Sequence, residues 1–445
     1  METNPTRMCE LLVGLPEVNV RGIDDGSVGP LRVHVESRLD QGWCRECGVR
    51  ASIKDRPAVE FVDLPCFGRS TRLVWHKQRW HCRETACPAG SWTVADERIA
   101  WPRAALTDRA GRWATCQVGR LGRSVNEVAG DLGCDWHTVN DAVLSYGEAL
   151  LDADTDRVGN VDALGLDETL FFRKGDRHLK QWATSVVDVG GAGRRSKLVE
   201  VIEGRTAKVV SGWIDAQPGA WRQAIRFGVL DMSGPYRKVF NDSLAHAIPV
   251  ADPFHVVKHA NEKLDECRRR VQNETLGHRG RKDDPLYRSR RLLTKGHERL
   301  DETGESKLLG LLEAGDPNGE VRMAWHAKET IRALYAIADP TDAETFIDEL
   351  IVDMADHEMP PEVRSLSRTL ARWRDLIVAW HHAKVTNGPT ESTNNLIKRV
   401  KRVGFGLRRF RHYRIRVLLY AGAPNWDLLS TVTPHDLGPR RVRTA

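Results

Sequence analysis

Three acidic residues stand out among the 61 Asp and Glu residues of this chain because of the predicted elements around them. Asp167 lies in ALGLDETLFF and Asp231 in FGVLDMSGPY, and each is predicted to end a strand. Glu391 lies in TNGPTESTNNLIKRVKR, near the start of a basic helix. Carboxylates suit hard cations such as Mg²⁺, which take oxygen ligands. Two such ions can hold the attacking and the leaving oxygen of a phosphodiester, so the three acids are candidate metal ligands.

The segment around Asp167 alternates between two faces, as a strand does. Asp167 shares its face with the small Gly165 and Thr169, which predicts room for a metal and a phosphate. The other face is predicted to carry Leu164, Leu166, Glu168, Leu170 and Phe172. The next two strands, WATSVVDV and KLVEVIE, follow through short connections that favour an antiparallel meander.

The elements that follow complete a familiar order. A helix around Ala207–Asp215, the strand IRFGVLD, a helix started by Ser233 and Pro235, the strand HAIPVAD and a helix from Phe254 come in turn. The order β-β-β-α-β-α-β-α is that of an RNase H-like fold, in which the first and fourth strands are neighbours. Asp167 and Asp231 are therefore predicted to lie side by side.

Four of the nine cysteines form two close pairs. Cys44 and Cys47 form C-R-E-C, and Cys82 and Cys87 form C-R-E-T-A-C, with AVEFVDLP and STRLVWHKQRWHC as predicted strands between them. A hairpin that brings two thiolate pairs together gives the tetrahedral sulfur site of structural zinc. Four unrelated buried cysteines are the alternative, and His81 is a possible substitute ligand.

A capped pair of helices follows the cysteine-containing segment. Ser124 and Glu127 form a capping box, Gly133 ends the first helix, and a second helix begins at about Asp135. The spacing fits a helix-turn-helix, with an ordinary helical hairpin as the alternative. In the first case the side chains that face DNA are Trp136, His137, Thr138 and Asn140.

The net charge of +6 is a mild basic excess, but its distribution is informative. Lys and Arg cluster at 268–295 and 398–416. For the first cluster, a phosphate-facing surface and solvated helix faces are both open. In the second, Lys398 is two turns beyond Glu391, where it can meet a DNA phosphate. The same part of the late helix carries Asn394, Asn395 and Arg402, which are predicted to contact DNA as well.

These motifs together resemble the DDE transposases of bacterial insertion sequences, of the ISL-three family. The resemblance rests on C-x-x-C with a later cysteine pair, VDLP before RWHC, LDETLFFRKG, LDMSGPYRKVF, ADPFHVVKHAN and TNGPTESTNNLIKRVKRVGFG, in the family's order over nearly the whole chain. The last block, with E-x-x-x-N followed by K-R, is the most specific. Pro253 is a departure, since the family usually has Arg there; Asp252 and His255 remain candidates for positions near the site.

The resemblance implies an α/β multidomain chain with an RNase H-like mixed-sheet catalytic core. Asp167, Asp231 and Glu391 would be its catalytic triad and would hold two Mg²⁺ or Mn²⁺ ions, while Cys44, Cys47, Cys82 and Cys87 would hold one structural Zn²⁺. The predicted segments are a zinc-binding ribbon (1–100), a helix-turn-helix (101–152), the first part of the core (155–260), a helical insertion (261–384) and the final core helix with the C-terminal segment (385–432). The 160 positions between Asp231 and Glu391 (391 − 231) fit such an insertion.

The predicted function is to bind the terminal inverted repeats of an insertion sequence and to catalyse metal-dependent cleavage and transfer of DNA strands. The predicted partners are these repeats and target DNA as double-stranded DNA, and a homodimer or higher assembly is expected on DNA because two ends must be joined. METNPTRM lacks a signal-peptide pattern and no apolar run reaches membrane-spanning length, so a cytoplasmic, nucleoid-associated protein without a membrane partner is expected. The alternatives are a zinc and helix-turn-helix regulator with an inactive RNase H-like domain, and a structure-directed nuclease.

Overall fold

The computed structural model describes residues 2, 4–26, 29–38, 42–175, 179–190 and 196–435. The chain divides into two compact units. The first unit comprises Met1–Arg157 and Asn395–Ala445, and the second comprises Val158–Asn394. Among the described residues, no helix combines the length and the apolar character that a membrane crossing requires.

The first unit begins with a helix and strands that form two sheets, of order β1-β2-β5-β4 and β3-β6-β7. β2 and β5 pair in parallel, and Val35, Leu73 and Trp75 are fully buried in the core of this four-stranded sheet. The elements are α1 (Pro5–Val13), β1 (Val18–Asp24), β2 (Leu31–Ser37), β3 (Ser52–Asp55), β4 (Ala58–Cys66), β5 (Arg69–His76), β6 (Arg79–His81) and β7 (Ser91–Thr93).

The helices that follow are capped as the sequence predicts. They are α2 (Asp108–Thr115), a π-helical turn (Cys116–Arg120), α3 (Val125–Leu132) and α4 (Trp136–Ala153). The capping box at α3 is confirmed, since Ser124 Oγ accepts from the N–H of Glu127 at 3.1 Å and the Glu127 carboxylate accepts from the N–H of Ser124 at 2.8 Å. Gly133 ends α3 with φ 62°, and a Cβ there would lie 2.7 Å from Ser70 Cβ, so this turn requires glycine.

The second unit is built on a mixed sheet of order β10-β9-β8-β11-β12. β8, β9 and β10 form the predicted antiparallel meander, and β11 pairs in parallel with both β8 and β12. The strands are β8 (Ala163–Lys174), β9 (Leu179–Asp188), β10 (Lys197–Glu203), β11 (Phe227–Leu230) and β12 (Ile248–Ala251). The predicted neighbours, the first and fourth strands, are confirmed as β8 and β11.

Helices cover the sheet and fill the long interval before Glu391. They share one apolar core with it, in which Val210, Phe240, Leu264 and Ile347 are buried. The helices are α5 (Ala207–Asp215), α6 (Gly219–Ala224), α7 (Gly234–Ser243), α8 (Pro253–Leu276), α9 (Pro285–Leu293), α10 (Glu302–Gly315), α11 (Glu320–Leu334), α12 (Pro340–Ala355) and α13 (Pro361–Ala383). Two further helices follow in the chain, α14 (Gly388–Val403) and α15 (Phe410–Ala421). α14 begins in the second unit and ends in the first, which also contains α15.

Two details of β8 were predicted wrongly. Asp167 lies in the interior of β8, which continues to Lys174, and does not end the strand. A register shift between Leu170 and Phe172 interrupts the alternation, so that Phe171 is the buried aromatic side chain while its two neighbours are half-buried. A bulge adds one residue to one strand of a pair, and the simple two-residue period cannot anticipate it.

Candidate active site and candidate zinc centre

The register of β8 and β11 sets the positions of the first two acids. Val229 of β11 lies opposite Gly165 of β8, and β11 ends one residue later at Leu230. Continuing this parallel register by two residues places Asp231 opposite Asp167. The sheet therefore brings the two carboxylates together where β11 ends and β8 continues.

The pair is electrostatically unfavourable on its own. Burial raises the pKa of Asp167 to about 6, against the hydrogen bond from the backbone N–H of Glu168, and the charge of Asp231 adds to the rise. Burial also raises the pKa of Asp231. Asp231 Oδ1 is buried and has no hydrogen-bond partner among the described residues. A carboxylate oxygen held in this way fits a cation-binding position, because a cation would offset both the desolvation and the repulsion.

The third acid, Glu391, lies close to a histidine that Asp252 orients. Asp252 is almost fully buried, at 2% exposure, and its two oxygens face the N–H of Asn387 (2.7 Å) and His255 Nδ1 (3.0 Å). His255 Nε2 lies 3.6 Å from Glu391 Oε1. Burial lowers the pKa of His255. The hydrogen bond to Asp252 and the charges of Asp252, Asp231 and Glu391 have the larger effect, so the pKa is raised overall. The candidates Asp252 and His255 thus connect the end of β12 to the start of α14.

The start of α14 packs directly on β8. A Cβ at Gly165 would lie 2.3 Å from Thr390 Oγ1, so only glycine permits this approach. The space at Gly165 that was predicted for a metal and a phosphate is therefore filled by protein. Asn394, one turn after Glu391 and 4% exposed, donates from Nδ2 to Asp167 Oδ2 at 2.5 Å and accepts from Ser185 Oγ at 2.9 Å. This contact was missed in the sequence, although the three-residue spacing from Glu391 put Asn394 on the right face of the helix.

A cavity of about 350 Å³ opens beside Asp231. Its walls come mainly from one face of α8 and from α13, and polar groups predominate among them. The lining residues are Asp231, Met232, His255, Lys258, His259, Glu262, Thr369 and Trp373. Glu391 is 41% exposed at its side chain, so the acidic centre is accessible from solvent.

The residues predicted to face DNA differ in exposure. Trp136 is 38% exposed at the start of α4, with His137 beside it in an edge-on ring contact. Thr138 donates from Oγ1 to the capping Asp135 at 2.8 Å, and Asn140 is buried at 2% exposure. Asn395, Lys398 and Arg402 are exposed on α14. A helix that buries one face turns about half of its residues inward, which is why Asn140 and Asn394 are less accessible than their neighbours.

The cysteine pairs converge in the first unit. The sulfur atoms of Cys44, Cys47, Cys82 and Cys87 all lie within 4.8 Å of one another, and in the described part of the chain these residues are the only such group of three or more potential ligands. Cys44 and Cys87 are 3.7 Å apart at sulfur, and Cys47 and Cys82 are 3.4 Å apart. Tetrahedral zinc with Zn–S bonds of about 2.3 Å separates its sulfurs by about 3.8 Å, so the four thiols fit this ion.

Local hydrogen bonds favour a thiolate at the first cysteine. Hydrogen bonds from the backbone N–H groups of Cys47 and Glu46 lower the pKa of Cys44 to about 7, although burial acts in the opposite direction. At Cys82 the N–H of Glu84 acts in the same direction, but burial and the sulfurs of Cys47 and Cys44 raise the pKa to about 12. Four thiols this close cannot all ionise without a cation, which is the condition that a zinc ion satisfies.

Carboxylates gathered at one place on a sheet can hold the divalent ions that metal-dependent enzymes use. Residues 164–417 match the family model of the ISL-three DDE type, which is described as "Transposase". Because the match covers more than half of the 445 residues, the chain belongs to the ISL-three family of DDE transposases. It is therefore an enzyme of transposition, and the family implies an RNase H-like core, DNA as partner and the use of divalent metal ions.

Two curated relatives extend this result. The chain is similar to the "Transposase for insertion sequence element IS1557" from two strains of Mycobacterium tuberculosis, CDC 1551 / Oshkosh and H37Rv. In both cases the identity is 28% over 407 residues, and the similarity covers 82% of this chain and 82% of the relative. The similarity thus covers more of this chain than the family match does.

Proposed function

We propose that this transposase binds the terminal inverted repeats of its insertion sequence and cleaves and joins DNA strands there, with Asp167, Asp231 and Glu391 as its catalytic triad. The observation that carries the proposal is the Asp167 and Asp231 pair, in which a buried carboxylate oxygen has no hydrogen-bond partner among the described residues. Glu391 lies on the helix that packs against the same strand. One acid within a strand, one directly after a strand and one on a helix would supply the oxygen ligands that Mg²⁺ or Mn²⁺ requires.

Two divalent ions, when bound, would activate the attacking water or 3′-hydroxyl and stabilise the leaving oxygen of the phosphodiester. Asp167 and Asp231 would hold them jointly, and Glu391 would complete the site. Asn394 would fix one oxygen of Asp167 through the hydrogen bond from its amide. His255, oriented by Asp252, would position Glu391. Supporting groups of this kind fix the orientation of ligands and are needed for accurate geometry.

Recognition of the element's ends would belong to the first unit. Residues 1–100 would form a zinc ribbon with Cys44, Cys47, Cys82 and Cys87, and residues 101–152 a helix-turn-helix that presents Trp136 and His137 to base edges. Asn395, Lys398 and Arg402 would contact phosphates, which position DNA without reading its sequence. We expect at least a dimer on DNA, because two ends must be joined, and an association with the nucleoid in the cytoplasm.

The test is a cleavage assay on a labelled terminal repeat, beside a binding assay on the same DNA. Asp167→Asn, Asp231→Asn and Glu391→Gln each keep the shape and remove one charge. Each should abolish cleavage and joining in Mg²⁺ while the repeat is still bound. Glu168→Gln is the matched control: this neighbouring acid pairs with Arg205 at 3.0 Å, and its loss should leave cleavage near the wild-type rate.

The outcomes separate the candidate functions. Cleavage by Glu391→Gln at the wild-type rate would place the third ligand elsewhere. A wild-type protein that binds the repeat but never cuts it in Mg²⁺ or Mn²⁺ would be a DNA-binding regulator. Cutting of branched DNA without any preference for the repeats would indicate a structure-directed nuclease.

A further inference from the structure

The basic cluster at 268–295 is divided into two parts by its contacts. In the first part, arginines are engaged within the protein. Arg268 and Arg269 pair with Asp265 at 2.6 and 3.0 Å. Arg270 donates to Glu362 at 2.9 Å and to Glu320, which lie on two other helices of the same unit. The first two pairs lie within α8 and Arg270 joins α8 to α11 and α13, so these charges are neutralised inside the protein.

The second part is different, because its charges have no acidic partner among the described residues. We call it the basic surface, and its members are Arg279, Arg281, Lys282, Arg288, Arg291 and Lys295, all of them exposed. Arg288 and Arg291 are three positions apart on the solvent face of α9, whose opposite face buries Leu286, Ser289 and Leu293. The sequence alone left a phosphate-facing surface and solvated helix faces open, and the concentration of six exposed cations without acidic partners among the described residues fits the former.

The acids in this segment leave the surface positive. Asp283 and Asp284 are the two acids among residues 279–295. Asp284 accepts from Gln272 Nε2 at 3.2 Å and lies 3.5 Å from His278, so it is used within the fold. Arg290 adds a further cation, stacked at 3.9 Å on the ring of Tyr287. Like charges this concentrated repel one another, and a polyanion relieves that repulsion.

We propose that the basic surface binds the phosphate backbone of target DNA; this rests on the proposed function. Duplex DNA carries one charge per roughly 1.7 Å of its axis, and exposed basic side chains can neutralise these phosphates. Phosphate contacts carry no sequence information. Target DNA does not need to contain the terminal repeat, so contacts to its phosphates are sufficient to bind it. The repeats themselves are recognised by the first unit under the proposed function. The basic surface lies in the second unit, which also holds the candidate active site.

The test uses the full chain with Arg288→Gln and Arg291→Gln combined. Joining of a pre-cleaved repeat without flanking DNA to a target plasmid is measured at subsaturating target over a range of salt. Loss of two phosphate contacts should lower the rate of joining about tenfold and reduce the salt exponent by about 2. Cleavage of an intact, flanked repeat should stay within about twofold of wild type, since phosphate contacts to the target are absent from that step.

The matched control combines Lys307→Gln and Arg322→Gln, which remove two exposed charges from α10 and α11. This control should join at the wild-type rate. An unchanged rate in the α9 variant would mean a merely solvated face, and an equal fall in cleavage would mean that the surface holds donor DNA; either result overturns the proposal. A wild-type protein that cuts and joins, beside an α9 variant indistinguishable from it, leaves the proposed function intact. A wild type that neither cuts nor joins overturns both.

Discussion

Burial and the neighbouring Asp231 raise the pKa of Asp167 to about 6, above the value of about 3.9 expected for an unfolded chain. The sign of the effect follows directly. Well below about pH 3.9 the residue is protonated in both states and contributes no difference. Between about pH 3.9 and 6 the unfolded chain ionises while the fold keeps the proton, so stability falls across this window, and above about pH 6 the loss is complete. At neutral pH, without divalent ions, the charge of Asp167 therefore opposes folding.

Asp167→Asn should consequently stabilise the metal-free protein while it removes activity. We expect a gain on the order of 1 to 3 kcal/mol at pH 7.5, which fades as the pH approaches 4. The amide has one acceptor oxygen, which can take the hydrogen bond of Asn394 or that of the Glu168 N–H but not both, and the lost hydrogen bond reduces the gain. Thermal unfolding in magnesium-free buffer at both pH values measures this, without a chelator that would remove zinc. A loss of stability at pH 7.5 would mean that the ionised form is favoured in the fold.

At the scale of elements, the zinc content of the protein distinguishes a metal site at the two cysteine pairs from four buried thiols. The purified protein should contain about one zinc per chain, because four thiolates complete one tetrahedral zinc site. Cys44→Ser should lose this metal and lower the melting temperature, because binding free energy contributes to folding. Cys66, outside the cluster, is the control, and Cys66→Ser should retain the zinc. Retained zinc in Cys44→Ser, measured by elemental analysis, would contradict the assignment.

The helices and strands that the sequence predicts correctly are those that depend on local signals. Caps and alternation are local signals, so the helix pair around Gly133 and the meander of β8, β9 and β10 were predictable. The neighbouring of β8 and β11 followed only because the order of elements identified a fold. The bulge beside Phe171 depends on how two strands pair, and the packing of Thr390 on Gly165 joins positions 225 residues apart (390 − 165). Nothing in a local pattern encodes such contacts.

The candidate site shows the same limit. The three acids were found because strand order and a resemblance placed them, but the hydrogen bond from Asn394 to Asp167 required coordinates. Asn140 illustrates the opposite error of reading a helix start as wholly exposed, since it turns inward at 2% exposure. Polar residues on an amphipathic helix can serve either face, and only packing decides between them.

At the scale of the whole molecule, the first unit joins both ends of the chain. Asp154 Oδ2 accepts from the N–H of Asn425 at 2.8 Å, and Arg112 donates from Nη2 to the carbonyl of Val432 at 3.1 Å. A fragment of residues 1–150 would lack these partners and part of its own unit. Recognition of the terminal repeat should therefore be tested by substitutions in the full chain.

Within the first unit, recognition of bases and contact with phosphates can be distinguished by two substitutions. His137→Ala, at the exposed start of α4, should lower the preference for the terminal repeat over random DNA about tenfold, because a base contact is lost. Lys398→Ala should weaken binding to both DNAs equally and reduce the salt exponent by about 1, as loss of one phosphate contact does. Titration of the full-length variants against both duplexes over a range of salt measures both quantities. If His137→Ala leaves the ratio unchanged, the repeat is read by another element; if Lys398→Ala changes the ratio, that side chain contacts a base.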